Sequence, residues 1–141
     1  MTKREIDRLL AEPNIAVLSV TAPGGAPHGV PVWYEYRRGE AVMFMDRASF
    51  KFRCVQKDPR AALIVDTRKP PYKCVILKGN ARTEMKKDDA RIRRMSVAYY
   101  GKKKGLAFAD SLKGIEFAWI ILKPARVVSW DYAKDLDAGS A

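Results

Sequence analysis

The chain has 141 residues, 48% of them hydrophobic and 30% charged, with a formal net charge of +11 and a pI near 9.8. That length suits one domain with a real core and is too short for two, and no apolar run approaches the roughly 18 residues of a membrane span. Two cysteines without Cys-x-x-Cys spacing and a single histidine argue against a disulfide scaffold and against a zinc or catalytic metal site.

The opening Met-Thr-Lys-Arg-Glu-Ile lacks the apolar core of a secretion signal, which predicts a cytoplasmic protein. Thr2 and Glu5 instead match a capping box that starts a helix reaching about Ala11. Ile15–Thr21, rich in β-branched residues, predicts a strand stopped by Pro23-Gly24-Gly25. Pro27–Tyr36 predicts a second strand, with His28, Val30, Val32, Tyr34 and Tyr36 on one face and Gly29, Pro31, Trp33 and Glu35 on the other. Pro31 lacks a ladder donor, so this strand is expected at an edge or bulged there.

Arg38-Gly39 turns the chain into a third strand, Ala41–Met45, followed by a helix from Ser49 to about Lys57 that Asp58-Pro59 ends. Ala61–Thr67 and Tyr72–Glu84 predict two more strands around a Lys69-Pro70-Pro71 turn, with Gly79 a candidate bulge. Lys86–Tyr100 reads as an amphipathic helix broken by Gly101-Lys-Lys-Lys-Gly105. Ile115–Leu122 and Arg126–Tyr132 are the last strands, and the polar tail from Lys134 to the end is expected to be flexible.

Six or seven strands in hairpin order, with a few helices between them, predict a mainly β protein. The expected architecture is a closed or split antiparallel barrel with peripheral helices, spanning the whole chain as one domain. Regular βαβ alternation is absent, and so are the glycine-rich dinucleotide and P-loop cradles.

The chemistry concentrates between Asp46 and Asp66. A helix start carrying Ser49, Lys51 and Arg53 offers backbone N–H groups, a positive dipole end, a hydroxyl and two cations, a pattern suited to phosphate. Lys51 and Arg53 lie about 200° apart around an ideal helix, so Lys51 is the better anchor. His28 could donate a proton, but a lone strand histidine is more often structural, and no catalytic acid or base is assigned.

The net charge also fits nucleic acid. Arg91, Arg93, Arg94 and Lys102-Lys103-Lys104 beside Tyr99 and Tyr100 could contact a phosphate backbone. Asp88 and Asp89 on the same segment, and the lack of a recognition motif, make a solvated helix face the better reading.

Five stretches in this order resemble the pyridoxamine 5′-phosphate oxidase-like split β-barrel superfamily, and within it the flavin/deazaflavin oxidoreductase branch that uses F420 or FMN. They are Pro27-His-Gly-Val-Pro-Val-Trp-Tyr34, Val42-Met-Phe-Met45, Ser49-Phe-Lys-Phe-Arg53 with Asp58–Val65, Val75–Arg82 and Pro124–Asp131. The resemblance implies an FMN-binding split barrel that forms a homodimer with a cofactor at the interface. It places the cofactor phosphate on Ser49, Lys51 and Arg53, the ring against Pro31, Val32 and Trp33, and further contacts at Phe44 and Met45. Cys74 falls where oxidase members often carry a polar flavin contact, a departure from that group.

The flavin-type cofactor performs hydride transfer itself, so no side-chain triad is required. The basic charge, with Arg47, Lys51, Arg53, Lys57 and Arg60 around the crossover, favours F420, whose phospholactyl and oligoglutamate groups are more anionic than FMN. The expected activity is an F420-dependent reduction of a small organic substrate. FMN is the alternative cofactor, and cofactor binding without turnover or nucleic-acid binding are the alternatives of another class.

Overall fold

The structure, a computed structural model, describes residues 1–134. Residues 135–141, most of the expected tail, lie outside the described residues. Helix α1 (Lys3–Ala11) opens with the capping box. Thr2 Oγ1 accepts the Glu5 N–H at 3.2 Å, and Glu5 Oε1 accepts the Thr2 N–H at 3.0 Å. Then follow β1 (Ala16–Thr21), β2 (Pro27–Val32), β3 (Glu35–Arg37), β4 (Glu40–Met45) and α2 (Phe50–Lys57). The second half comprises β5 (Arg60–Asp66), β6 (Lys73–Lys86), α3 (Asp89–Tyr100), α4 (Lys102–Ser111), β7 (Phe117–Leu122) and β8 (Arg126–Asp131).

The hydrogen-bonded order is β2-β1-β5-β6-β7-β4-β3, antiparallel throughout, with β8 also paired to β6. Long β6 serves two sheets: its first half pairs with β5 and β8, and the stretch from Ala81 to Lys86 pairs with β7. Strands β2 and β3 stand at opposite ends of this order, yet only Trp33 and Tyr34 separate them in the chain. The covalent chain therefore closes the barrel where no ladder does. This is the split.

Alternation sorts the side chains. Leu18, Val20, Val32, Tyr34, Met43, Leu63, Val65, Val75, Leu77, Ile120 and Leu122 fill the barrel. Helix α1 adds Leu9 and Leu10, and α2 adds Phe52, Cys54 and Val55. The α3–α4 pair covers the outer face of β4 and β7, where Val42, Trp119 and Ile121 meet Ile92, Met95 and Ala109. Strand β7 is thereby buried on both faces, which is why Phe-Ala-Trp-Ile-Ile-Leu shows no polar alternation.

Three expectations change. The strand expected over Pro27–Tyr36 divides at Trp33–Tyr34, giving eight strands, because its halves pair with different neighbours: Val32 faces Ala16, and Glu35 faces Val42. The facing pattern survives the break, since Val32 and Tyr34 stay in the core. Gly79 forms no bulge; its register with Ala61 is continuous. A Cβ there would lie 3.0 Å from Ala125 N and 3.2 Å from Lys123 O, so the glycine admits the β7–β8 turn.

Gly101–Gly105 does break one helix, but it also begins another. Gly101 (φ +85°) pivots the chain, and Gly105 sits inside α4 pressed against α3. A Cβ on Gly105 would meet Val97 Cα at 2.5 Å and Ser96 O at 2.6 Å, both backbone atoms. Gly105→Ala is expected to destabilise the fold by roughly 1–3 kcal/mol through this overpacking. Denaturant unfolding checks it, and an unchanged midpoint would show that α4 is not tightly seated.

Candidate functional site

The break at Trp33–Tyr34 leaves backbone groups that no strand satisfies, and Tyr99 of α3 supplies partners. Its hydroxyl accepts the Tyr34 N–H at 3.1 Å and lies 2.7 Å from the Asn14 carbonyl, to which it donates. Burial pushes the Tyr99 phenol up, which keeps that proton in place. The Tyr34 hydroxyl donates to Glu12 O at 3.2 Å. Trp33, turned outward, stacks on the Tyr99 ring with centroids 4.6 Å apart and planes 2° apart. Tyr100 and Phe108 meet Trp33 edge-on at 5.1 and 5.8 Å.

Beside this cluster lies a cleft of about 260 Å³, lined by Pro31, Val32, Trp33, Phe44, Lys51, Tyr100 and Phe108. Five of the nine residues singled out for cofactor contact thus converge from β2, β4 and α2 on one concavity. Phe44 reaches it from the outer face of β4, braced by Phe117 at 5.2 Å and Trp119 at 5.5 Å.

Ser49 is the N-cap of α2, with extended φ/ψ of −65° and 144°. Its hydroxyl caps nothing: Oγ is buried and has no hydrogen-bond partner among the described residues. The first turn of α2 carries no acidic residue and no side chain caps its N–H groups; the nearby Asp46 carboxylate accepts the Ala48 N–H at 2.7 Å. Lys51, half-buried, makes no ion pair among the described residues, and desolvation lowers its pKa from the ordinary lysine value. An orphaned hydroxyl, a helix start without a side-chain cap and a desolvated ammonium are the donor set that a phosphate monoester satisfies. The residues fit that group.

The other singled-out residues are placed differently. Arg53 is exposed, and its guanidinium lies 5.9 Å from the Phe50 ring centroid. His28 packs edge-on against the same ring at 4.9 Å. Met45 turns into the barrel core. Cys74 lies on β6 opposite Asp66 and Trp130, and burial, aided by the Asp66 carboxylate, pushes its thiol up to about 11. Of the basic cluster near α3, Arg91 and Arg94 lie 3.1 and 2.9 Å from Glu35, whereas Arg93 and Lys102 to Lys104 are exposed. Among the described residues, no three His, Cys, Asp or Glu side chains gather as a metal site, and no helix is long and apolar enough to cross a membrane.

Tyr100, Phe108 and the bracing Tyr99 were not anticipated as parts of the site. A signal existed in the aromatic spacing Tyr99-Tyr100 and Phe108 across a glycine-flanked turn, but only the α3–α4 packing brings them to Trp33.

The strand order, with β2 and β3 at its two ends, defines the class: the antiparallel split β-barrels. The family described as pyridoxamine 5′-phosphate oxidase matches residues 2–131, and the chain belongs to it. Among solved structures, a conserved hypothetical protein from Mycobacterium tuberculosis superimposes with TM-score 0.75 at 21% identity, over 95% of this chain and 87% of that one. An F420 reductase gives 0.69 at 17% identity, over 86% and 94%. A FAD-binding protein from Mesorhizobium loti gives 0.61 at 18% identity, over 92% of each. These likenesses show a shared fold. No curated protein matches the chain.

The raised Cys74 pKa sets an expectation for reactivity. Iodoacetamide at pH 8.5 should label Cys74 at least about tenfold more slowly than an unfolded-peptide thiol, with the rate climbing only towards pH 10–11. Labelling at the peptide rate would place the thiol in water.

Proposed function

We propose that this chain is an F420-dependent oxidoreductase that reduces a small, planar, conjugated organic substrate. The observation that carries the reading is the convergence of Pro31, Val32, Trp33, Phe44 and Lys51 on one cleft, with Lys51 in the first turn of the helix whose N-cap, Ser49, carries an orphaned hydroxyl. Ser49, Lys51 and the first N–H groups of α2 hold the cofactor phosphate. The outward backbone and ring of Trp33, with Pro31, orient the tricyclic ring. Bound there, the reduced deazaflavin supplies the hydride. Tyr100, Phe108 and Phe44 form apolar walls that exclude water and accept a flat partner by stacking.

The net charge of +11 and the likeness to an F420 reductase support F420 over FMN. The FAD-binding relative keeps FMN as the second reading. Arg60 contributes less to a polyanionic tail than its position suggested, because Asp58 already takes its guanidinium at 2.6 Å.

The working unit is proposed to be a homodimer. Strand register aligns Pro31, Val17, Ile64, Ile76 and Val128 in one row across β2, β1, β5, β6 and β8. These residues alternate with core positions and so face outward, leaving an apolar row on the sheet face, bordered by Lys78 and Arg126 on one side and Asp66 on the other, that Pro31 connects to the cleft. Cys74 shares this face with Ile76. It lies three strands from Pro31, about 14 Å by strand spacing, so Cys74 meets a cofactor only across such an interface.

Titration of F420 and FMN into the wild type and Lys51→Ala, followed by cofactor fluorescence and absorbance, tests the reading. Wild type should bind F420 more tightly than FMN, and Lys51→Ala should weaken F420 binding about tenfold or more while leaving thermal unfolding unchanged. Equal F420 affinity in the two proteins would remove Lys51 from the phosphate site. Binding of neither cofactor by the wild type would end the proposal.

A further inference from the structure

A second cavity, of about 290 Å³, lies on the outer face of β4, β7 and the second half of β6, beside the first turn of α3. Its floor is apolar, formed by Val42 and Ile121, which are opposite one another in register and 3% exposed. Its walls carry five cations, Arg37, Arg38, Arg82, Lys86 and Arg91, against two carboxylates, Glu40 and Glu84. Helix α3 separates it from the aromatic cleft: Arg91 lines this cavity and Tyr100 the cleft, nine residues and about 13.5 Å apart along an ideal helix.

The carboxylates around the cavity orient its guanidinium groups without exhausting them. Arg82 gives Nη1 to Glu40 at 2.7 Å and approaches Glu84 through Nε at 3.5 Å, leaving Nη2 without a hydrogen bond among the described residues. Glu35 is gripped by the fork of Arg94, at 2.9 and 3.1 Å. Arg91 approaches the same carboxylate at 3.1 Å but out of line, so its buried Nε has no hydrogen bond among the described residues. Among the described residues, the carboxylates that Lys86 meets are distant, 3.5 Å to Glu84 and 3.8 Å to Asp88. Arg37 and Arg38 have no acidic partner among the described residues.

The backbone at Arg38 adds an independent indication. Arg38 and Gly39 form the two-residue turn between β3 and β4, with φ of +53° and +76°. Asn, Asp or Gly ordinarily fill the first position of such a turn, because a Cβ is strained at positive φ unless a short polar side chain offsets it by local hydrogen bonding. An arginine occupies that position here, and it lines the cavity.

We propose that this cavity is a second binding site, separate from the cofactor cleft, for a compact multivalent anion bearing phosphate or carboxylate oxygens. The held guanidinium groups of Arg82 and Arg91 supply pre-oriented donors, and Arg37, Arg38 and Lys86 supply the excess charge. The apolar floor sets the depth and keeps the anion among the donors.

The test is calorimetric titration of pyrophosphate and of citrate at low salt into three proteins: wild type, Lys51→Ala, and the double variant Arg37→Ala/Arg38→Gly. The glycine suits the turn, so thermal unfolding without ligand should be unchanged or higher in the double variant. Saturable binding should persist in Lys51→Ala and weaken about tenfold or more in the double variant. Tighter binding of pyrophosphate would mark a phosphate compound as the natural ligand, and tighter binding of citrate a polycarboxylate. No saturable binding in Lys51→Ala would overturn the proposal, as would a change of less than roughly threefold in the double variant. Neither result depends on whether F420 occupies the first cleft.

Discussion

The Tyr99 hydroxyl holds the seam of the barrel. Strands β2 and β3 end the hydrogen-bonded order at opposite edges, and the two residues joining them cannot pair with either sheet. Leaving the Tyr34 N–H unpaired in a buried setting would cost roughly 1–3 kcal/mol. A phenol on α3 accepts that N–H and donates its own hydroxyl hydrogen bond to Asn14 O. One side chain thereby ties the split, the α1–β1 connection and the α3–α4 cover together.

The same contact creates the site. With Tyr34 held inward, alternation turns Trp33 outward, and the Tyr99 ring fixes its plane by stacking. The next residue, Tyr100, and Phe108 across the α3–α4 turn then wall the cleft opposite Phe44 and Lys51. Helix α2 is anchored independently through Phe52, Cys54 and Val55 in the core. Its N-terminus therefore presents Ser49 and Lys51 from a rigid base; Ser49 Oγ is buried without a partner among the described residues, and desolvation lowers the Lys51 pKa, two costs that the anion of the proposed function would relieve.

Much of this was legible in the residues because local rules and the fold agree. The capping box at Thr2 and Glu5, the alternation through β2 and the stop at Asp58-Pro59 each follow from chemistry within a few residues. The break at Trp33–Tyr34 was not legible, since alternation runs through it unchanged and only the choice of neighbouring strand divides it. Helix α4 was hidden for a related reason. Its glycine reads as a breaker, yet it is required by the approach of Ser96 and Val97 on a different helix. Phe108 and Tyr100 gained their place through that same packing, which no local pattern encodes.

The proposed function rests on a phosphate held at the start of α2, and its most direct measurement compares F420 with the corresponding deazaflavin lacking the phosphate and tail. Both fluoresce, so their dissociation constants can be read under one set of conditions. The phosphate-free compound is expected to bind about tenfold or more weakly, with the difference shrinking as salt is raised. Equal affinity for the two would contradict a phosphate anchor at Ser49 and Lys51.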